Sequence, residues 1–317
     1  MKSYLIKRIV SMAFTLWMIS MVMFLLVKLM PQDPVALAMP SHVKVAQRQI
    51  VYDQLKEEMG LNDSLVVQYG KWLGRTLRGD FGTSLTYKKP VKDVIKQPLI
   101  NTLRLNIMVF LLSFLIALVG GVYSALHKGK KIDRIWQSIT LFGMSVPGYF
   151  LALIIIYVFA FRFHLFPSSG TWISSQSLIE NLRVMVLPVA TLTLLSFCTM
   201  ERYIRDHMIL VLEQEYMSAC MARGVHGVRL MLHGLRGALL PFITLWMNEL
   251  SMLLVGSVFI EYIFAYDGIG RILLEALNRR DYMLVIALNF LYALIYLLMN
   301  FIADLLYGIA DPRVKHS

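Results

Sequence analysis

The sequence predicts an all-α integral membrane protein with six transmembrane helices and a small helical extracellular segment after the first. Three observations carry this. Of 317 residues, 57% are hydrophobic and only 16% charged, with a mean hydropathy of +0.62, whereas soluble chains run at about 45–50% apolar and about 25% charged. The apolar residues fall in runs of the length that crosses a hydrocarbon core, about 20 residues in a helix. No ten-residue segments of alternating hydrophobicity occur, which argues against an outer-membrane barrel. So much apolar sequence excludes a disordered chain.

The first run is Ile9–Met30, with one charge, Lys28, near its end where the ammonium can snorkel. Lys2, Lys7 and Arg8 before it resemble a signal-peptide n-region, but the run is far longer than the usual 7–15 residues. No small-x-small site follows it, so it reads as an uncleaved helix. Ile107–Leu126 and Ile135–Phe161 carry no charge, and the latter is long enough to tilt. Val184–Met200 is shorter, contains Pro188, and should extend at one end. Gly237–Ile260 holds a single charge, Glu249, and Tyr282–Ala303 holds none. Between the first two runs, Gln47–Met59 and Ser64–Leu77 have helical periodicity with Gly60 and Gly79 as stops. The expected organisation is 1–30 for the N-terminus and first span and 31–98 for an extracellular helical cap. A five-span core follows at 99–308, with an inner loop at 201–236, and then a tail at 309–317.

A formal charge of +11 would suggest nucleic acid in a soluble protein. Here 14 basic residues fall in the segments that lie inside if the N-terminus is inside, and five in the two short outer loops. The ten in the long segment 31–98 count for little, because long loops translocate largely regardless of charge. Both termini are expected to be cytoplasmic, and nucleic acid is not an expected partner.

Chemistry-bearing motifs are scarce. The Gly-Lys pairs at Gly70 and Gly129 lack the upstream glycine and following Ser/Thr of a phosphate-gripping loop, so the chain is not expected to hydrolyse ATP. No HExxH, GxSxG or CxxC is present. Cys198 and Cys220 make neither a disulfide framework nor a metal cluster. His226 and His233 would share a face of a helix, but two ligands are too few for a metal.

The inner loop is the informative part. It reads Glu215-Tyr216-Met217-Ser218-Ala219-Cys220-Met221-Ala222-Arg223-Gly224, then Arg229, His233 and Leu235-Arg236-Gly237-Ala238-Leu239-Leu240-Pro241. This is an acidic helix start, a small-residue helix about two turns long, and a glycine stop, followed by an amphipathic stretch into the next span. Ala219, Cys220 and Ala222 leave a face slim enough to enter another protein's groove. A surface helix lying on the membrane would show the same features.

These residues resemble the EAA loop of ABC-importer permeases, in the form E-Y-x-x-x-A-x-A-K-G used by dipeptide, oligopeptide and nickel permeases. The resemblance runs nearly the full chain. It takes in Met30-Pro31-Gln32-Asp33-Pro34, Gly60-Leu61-Asn62-Asp63, Gln68-Tyr69, Trp72-Leu73, Gly79-Asp80-Phe81-Gly82 and Ser84. It continues through Ser145-Val146-Pro147, Glu261-Tyr262-Ile263-Phe264, Gly268-Ile269-Gly270-Arg271 and Arg280-Asp281-Tyr282. It ends at Asp304-Leu305-Leu306-Tyr307 and Asp311-Pro312-Arg313. Cys220, Gly237, Asp267 and Gln32 stand where the family usually has Ala, Asn, Pro and Gly.

The resemblance implies the type I permease fold and a non-enzymatic transport subunit for di- or oligopeptides, with nickel or a metal–metallophore complex as the alternative. It implies a second, homologous permease chain, two ATPase subunits that hold the ATP and magnesium, an extracellular substrate-binding protein, and the lipid bilayer as surroundings. No cofactor is expected in this chain. By residue match, Ala219–Val228 is the coupling helix that docks on an ATPase. Glu215 and Gly224 anchor it, and Tyr216, Cys220, Ala222, Arg223, Arg229 and His233 are the neighbouring docking residues.

Glu249 is the acid the spans leave to explain. A carboxylate at mid-span costs about 2.5–3.5 kcal/mol on insertion scales and avoids lipid, so it should face the protein interior or a water-filled path. It either lines the pathway, with Asn248 about 100° round the helix, or holds the bundle together. Ser145 and Pro147 break the third span, and such kinks serve gates and ordinary packing alike. Arg104, at the mouth of the second span, reads as an interface anchor. A secondary transporter or channel working without ATPases is the rival from another class, but it would need buried ion-coupling carboxylates or inverted repeats.

Overall fold

The structure, a computed structural model, describes residues 2–29, 35–36, 39, 44, 47–58 and 60–310. The motifs at 30–34 and 311–313 lie outside the described residues, as do the basic residues Arg313 and Lys315. Among the described residues the architecture is all-helical, with one isolated antiparallel bridge between Thr83 and Pro90. Contact patterns divide the chain into two compact units, one chiefly Leu99–Arg271 and the other chiefly Ile6–Pro98 with Ile272–Leu294.

The second unit contains α1 (Lys2–Leu29), α2 (Arg48–Glu58) and α3 (Leu65–Leu77). The glycines that were expected to stop α2 and α3 do so in the left-handed region, Gly60 at φ +65° and Gly79 at φ +77°. Asp281 is fully buried here. It accepts from Ser84 Oγ at 2.5 Å, Thr86 N at 2.9 Å and Leu284 N at 3.3 Å. It thereby caps the last helix and pins the Gly-Asp-Phe-Gly loop, while Tyr87 Oη donates to Glu275 Oε2 at 3.0 Å.

The larger unit is organised around α4 (Val91–Leu126), α5 (Lys131–Ser145), α6 (Gly148–Ile155) and α7 (Leu178–Leu212), then α8 (Glu215–Ala222), α9 (Val228–Gly237) and α10 (Leu239–Ile263), while α11 (Ile269–Asn278) starts in it and runs on in the other unit. α12 (Tyr282–Ala310) closes the chain. α4 starts 16 residues before the apolar run does, because its polar first turns, with Asp93 near the N-terminus, and even Pro98 are accommodated in one helix. α7 extends the fourth run at both ends rather than one. Its start is set by a capping box in which Ser177 Oγ accepts from Glu180 N and Glu180 Oε2 accepts from Ser177 N.

The third run is not one tilted helix. It bends by 101° between Ser145 and Gly148, and the second arm widens into π-helical turns over Ile156–Arg162. Pro147 drives its neighbour out of the helical region, leaving Val146 extended at φ −86° and ψ 124°. Among the described residues four helices are long and apolar enough to cross a membrane. The number rises to six if each of two bent pairs, this one and Val228–Gly237 with Leu239–Ser251, is a single crossing.

α7 is the mast of the larger unit. At one end Met185, Leu187 and Leu192 pack with Leu105 and Val109 of α4, Ala152 and Ile155 of α6, Ile260 of α10 and Phe264 just past its end. At the other end Phe197, Met200, Ile204 and Met208 pack with Ala117 and Val122 of α4 and with Phe242 and Leu245 of α10. The approach of α4 to α7 needs glycine. A Cβ at Gly121 would sit 2.7 Å from the Glu201 carbonyl oxygen and 2.9 Å from Ile204 Cγ2.

Candidate functional site

The predicted loop is built from α8 and α9. Helix α8 spans Glu215–Ala222, so the expectation of a helix over Ala219–Val228 is corrected. The acidic start sits where the dipole favours an anion. The end is fixed by a Schellman motif, with Gly224 at φ +81° donating to Met221 O at 2.9 Å and Val225 N donating to Cys220 O at 3.1 Å. Beyond Ala222 the chain therefore turns, and it re-enters a helix only at Val228 after a second left-handed glycine, Gly227 at φ +59°. His226 lies in that turn and His233 in α9, so the two do not share a helix face.

Most of the loop's predicted residues are presented rather than buried. Glu215, Tyr216, Ala219, Ala222, Arg223, Gly224, Arg229 and His233 are exposed and Cys220 is half-buried, while Met217 is fully buried and pins α8 from beneath. Arg229, His233 and Arg236 recur at i, i+4 and i+7, which gives α9 one basic face. The departure at Gly237 has a packing reason. A Cβ there would run into Tyr216 Oη and would stand 2.8 Å from Val211 Cγ1.

The loop hangs from a post that the sequence did not reveal. Asp133, in the first turn of α5 and two residues ahead of the apolar run, is buried. It accepts from Arg205 Nε at 2.6 Å and Nη2 at 2.9 Å, from Ser124 Oγ at 2.6 Å and from Gly129 N at 2.8 Å. The bidentate guanidinium, with the Ser124 and Gly129 bonds, satisfies the buried carboxylate on all sides.

The predicted pathway residues separate. Glu249 is buried, on a stripe with Phe242 and Leu245 at i−7 and i−4, whereas Asn248 is exposed. Ser145 and Pro147 are exposed at the elbow between α5 and α6, with Ser145 Oγ donating back to Leu141 O at 2.8 Å. Arg104 lies inside α4, its guanidinium 5.0 Å over the ring of Trp172.

Glu249 is not the single buried acid. Glu201 on α7 is fully buried, and neither carboxylate oxygen has a hydrogen-bond partner among the described residues. Glu261, at the far end of α10, is also fully buried and accepts four bonds. These come from Thr102 Oγ1 at 2.7 Å, Ser257 Oγ at 3.1 Å, Gly270 N at 2.8 Å and Arg271 N at 3.3 Å. It therefore caps α11 and ties it to α4. Tyr266 Oη donates to Asn101 O at 3.0 Å, and Asn101 Nδ2 donates to Asp267 O at 2.8 Å. Asp267 N in turn donates to Thr171 Oγ1 at 3.2 Å, a bond the usual proline could not make. The glycines of this motif are required by space. A Cβ on Gly268 would lie 2.5 Å from Thr102 Oγ1, and one on Gly270 2.5 Å from Val258 Cα.

Comparison with known proteins gives one consistent result. Residues 117–316 match the family described as the inner membrane component of binding-protein-dependent transport systems, and residues 1–106 match the N-terminal component of the same systems. The oligopeptide transport system permease protein AppB of Bacillus subtilis (strain 168) is 34% identical over the whole of both chains. A probable peptide ABC transporter permease protein, y4tP, of Sinorhizobium fredii is 31% identical over 99% of each chain. The glutathione transport system permease protein GsiC of Escherichia coli (strain K12) is 29% identical over the whole of both.

Proposed function

The chain belongs to the family of inner membrane components of binding-protein-dependent transport systems, and on that premise we propose that it is the permease subunit of an ATP-binding-cassette importer for di- and oligopeptides. It forms half of a translocation pore with a second, homologous permease chain. Two ATPase subunits, which bind and hydrolyse the ATP, dock on the side where the chain's termini lie, the cytoplasmic one. An extracellular binding protein delivers substrate on the other. The peptide assignment is supported by full-length similarity to permeases named for oligopeptides, peptides and glutathione.

The observation that carries the coupling role is the build of α8. It is a two-turn helix held by one buried methionine and a glycine-terminated turn, with Ala219 and Ala222 facing outward. A cleft on an ATPase can accept so slim a face, and Arg229 and His233 on α9 flank it with cationic or polar contacts. Closure of the ATPases then displaces α8 and, through α9, the start of α10. The spans respond by opening the pore toward the binding protein, and hydrolysis resets them.

The experiment is uptake in cells deleted for this chain and in cells complemented with it. Loss of labelled di- and tripeptide uptake, restored by the chain and abolished by ATP depletion, is the expected outcome. Uptake of nickel rather than peptide would overturn the substrate, and uptake that follows the ion gradient after ATP depletion would overturn the class.

A further inference from the structure

Helix α3 was expected to belong to an extracellular cap, yet its partner is the membrane-spanning part of α1. Tyr69 Oη pairs with Ser20 Oγ at 2.7 Å. Phe24 packs edge-to-face on Tyr69 and at a tilt on Trp72, at centroid distances of 5.5 and 5.8 Å. Lys28 donates to Gln68 and lies over the Phe24 ring. Ser20 and Phe24 belong to the apolar stretch Ile6–Leu26, which is long and apolar enough to cross the membrane. Ser20 is six residues inside its end, which is about 9 Å along a helix. A helix seated on Ser20 and Phe24 cannot stand wholly above the bilayer.

The remaining faces of α3 are sorted by polarity. Val66, Gly70, Leu73 and Leu77 recur at i, i+4, i+7 and i+11, a stripe adjacent to the face that meets α1. Val66 is 80% and Leu77 71% exposed. On the other flank Lys71, Arg75 and Arg78 recur at i, i+4 and i+7. Lys71 is paired with Asp63 at 2.6 Å, and Lys71 and Arg75 line a polar cleft of about 340 Å³ with Glu57, Glu58 and Gly60. Tyr69 and Trp72, the aromatic types enriched where membrane meets water, lie at the level of the join.

We infer that α3 lies in the plane of the membrane interface, with Val66, Leu73 and Leu77 inserted among the acyl chains of the leaflet where α1 ends. Val22, Leu25 and Leu26 of α1 are exposed as well, so both helices present apolar residues with no protein over them among the described residues. Interfacial helices of this kind sink their apolar face about 5–10 Å into the boundary, the depth at which Phe24 and Ser20 hold α3. The helix acts as a collar that fixes the depth and tilt of α1, a span otherwise scarcely packed. This needs only that α1 crosses the membrane, not that the cargo is a peptide.

Nitroxide labels test it in the full chain, with Cys198 and Cys220 replaced by alanine, reconstituted in phosphatidylethanolamine–phosphatidylglycerol nanodiscs. Labels replace Val66, Leu77, Lys71 and Arg78 in turn, with Val22→Cys as the lipid-exposed control. Power saturation with oxygen and with a water-soluble nickel chelate should give high oxygen-to-nickel ratios at 66 and 77, close to that at 22, and low ratios at 71 and 78. Ratios at 66 and 77 equal to those at 71 and 78 would overturn the proposal. So would low access of both reagents at 66 and 77, the sign of a protein partner covering the stripe.

Discussion

At its C-terminal end α10 runs into a corner where Glu261 takes four donors and Asn101, Thr102, Thr171 and Tyr266 interlock. At its N-terminal end it is preceded by α9 and α8, whose outward residues are exposed and whose geometry rests on backbone turns, two left-handed glycines and buried Met217. The corner is held by bonds between residues up to 167 positions apart. The loop is held by bonds between near neighbours. Segments with few buried contacts open at low free energy and dense ones only near global unfolding. The difference is therefore one of local stability: one end of α10 is tied to distant parts of the chain and the other rests on turns closed between near neighbours.

The largest effect that could break this comparison is at the corner. Glu261→Ala removes the shared acceptor of Thr102, Ser257, Gly270 and Arg271, and a buried donor stripped of its partner costs about 1–3 kcal/mol. Losses at several donors should lower the melting temperature of the purified chain sharply and reduce its yield in membranes. Gly270→Ala should act alike, because its Cβ would meet the Val258 backbone and overpacking costs about 1–3 kcal/mol. If either variant melts with the parent, the corner is not the fixed end.

A smaller effect on stability, with a larger one on work, is expected in the loop. Proline cannot adopt φ +81° and has no N–H for Met221 O, so Gly224→Pro undoes the Schellman turn. Ala222→Trp fills the slim face without touching that turn. Both should insert and melt within a few degrees of the parent, yet in membrane vesicles ATP should be hydrolysed without uptake. Normal uptake in these variants would remove α8 from the coupling role.

The division also marks what could be read from the residues in order. Apolar runs, glycine stops and the two-turn helix at Glu215 depend on neighbours, and they stand close to where the spacing puts them. The break at Val146 was visible through Pro147, though not the 101° it opens. Buried acids escaped because their partners are remote: Asp133 meets Arg205 across 72 positions and Asp281 meets Ser84 across 197. The Ser177–Glu180 spacing did carry a local signal for the start of α7. Nothing local distinguished the depth of α3, which is set by Tyr69 and Trp72 meeting α1.

Glu249 tests the comparison most finely, because it lies on the same helix as Glu261, twelve positions toward its N-terminal end. Both carboxylates are buried, but the bonds that make Glu261 a fixture come from Thr102, Ser257, Gly270 and Arg271, whereas Glu249 sits on an apolar stripe after Phe242 and Leu245. A group built in for stability has the surroundings of Glu261. If Glu249 lines the translocation pathway, a passing ammonium group would supply its partner. Glu249→Gln keeps the volume and removes the charge, so melting should barely move. Uptake of peptides with a free amino terminus should fall about tenfold or more, the loss expected when a charge-assisted hydrogen bond of about 1.5–3 kcal/mol disappears. Peptides with a blocked amino terminus should be spared. A variant with unchanged rate and unchanged preference would instead make Glu249 a second, quieter Glu261, a side chain that serves only to hold α10 in the bundle.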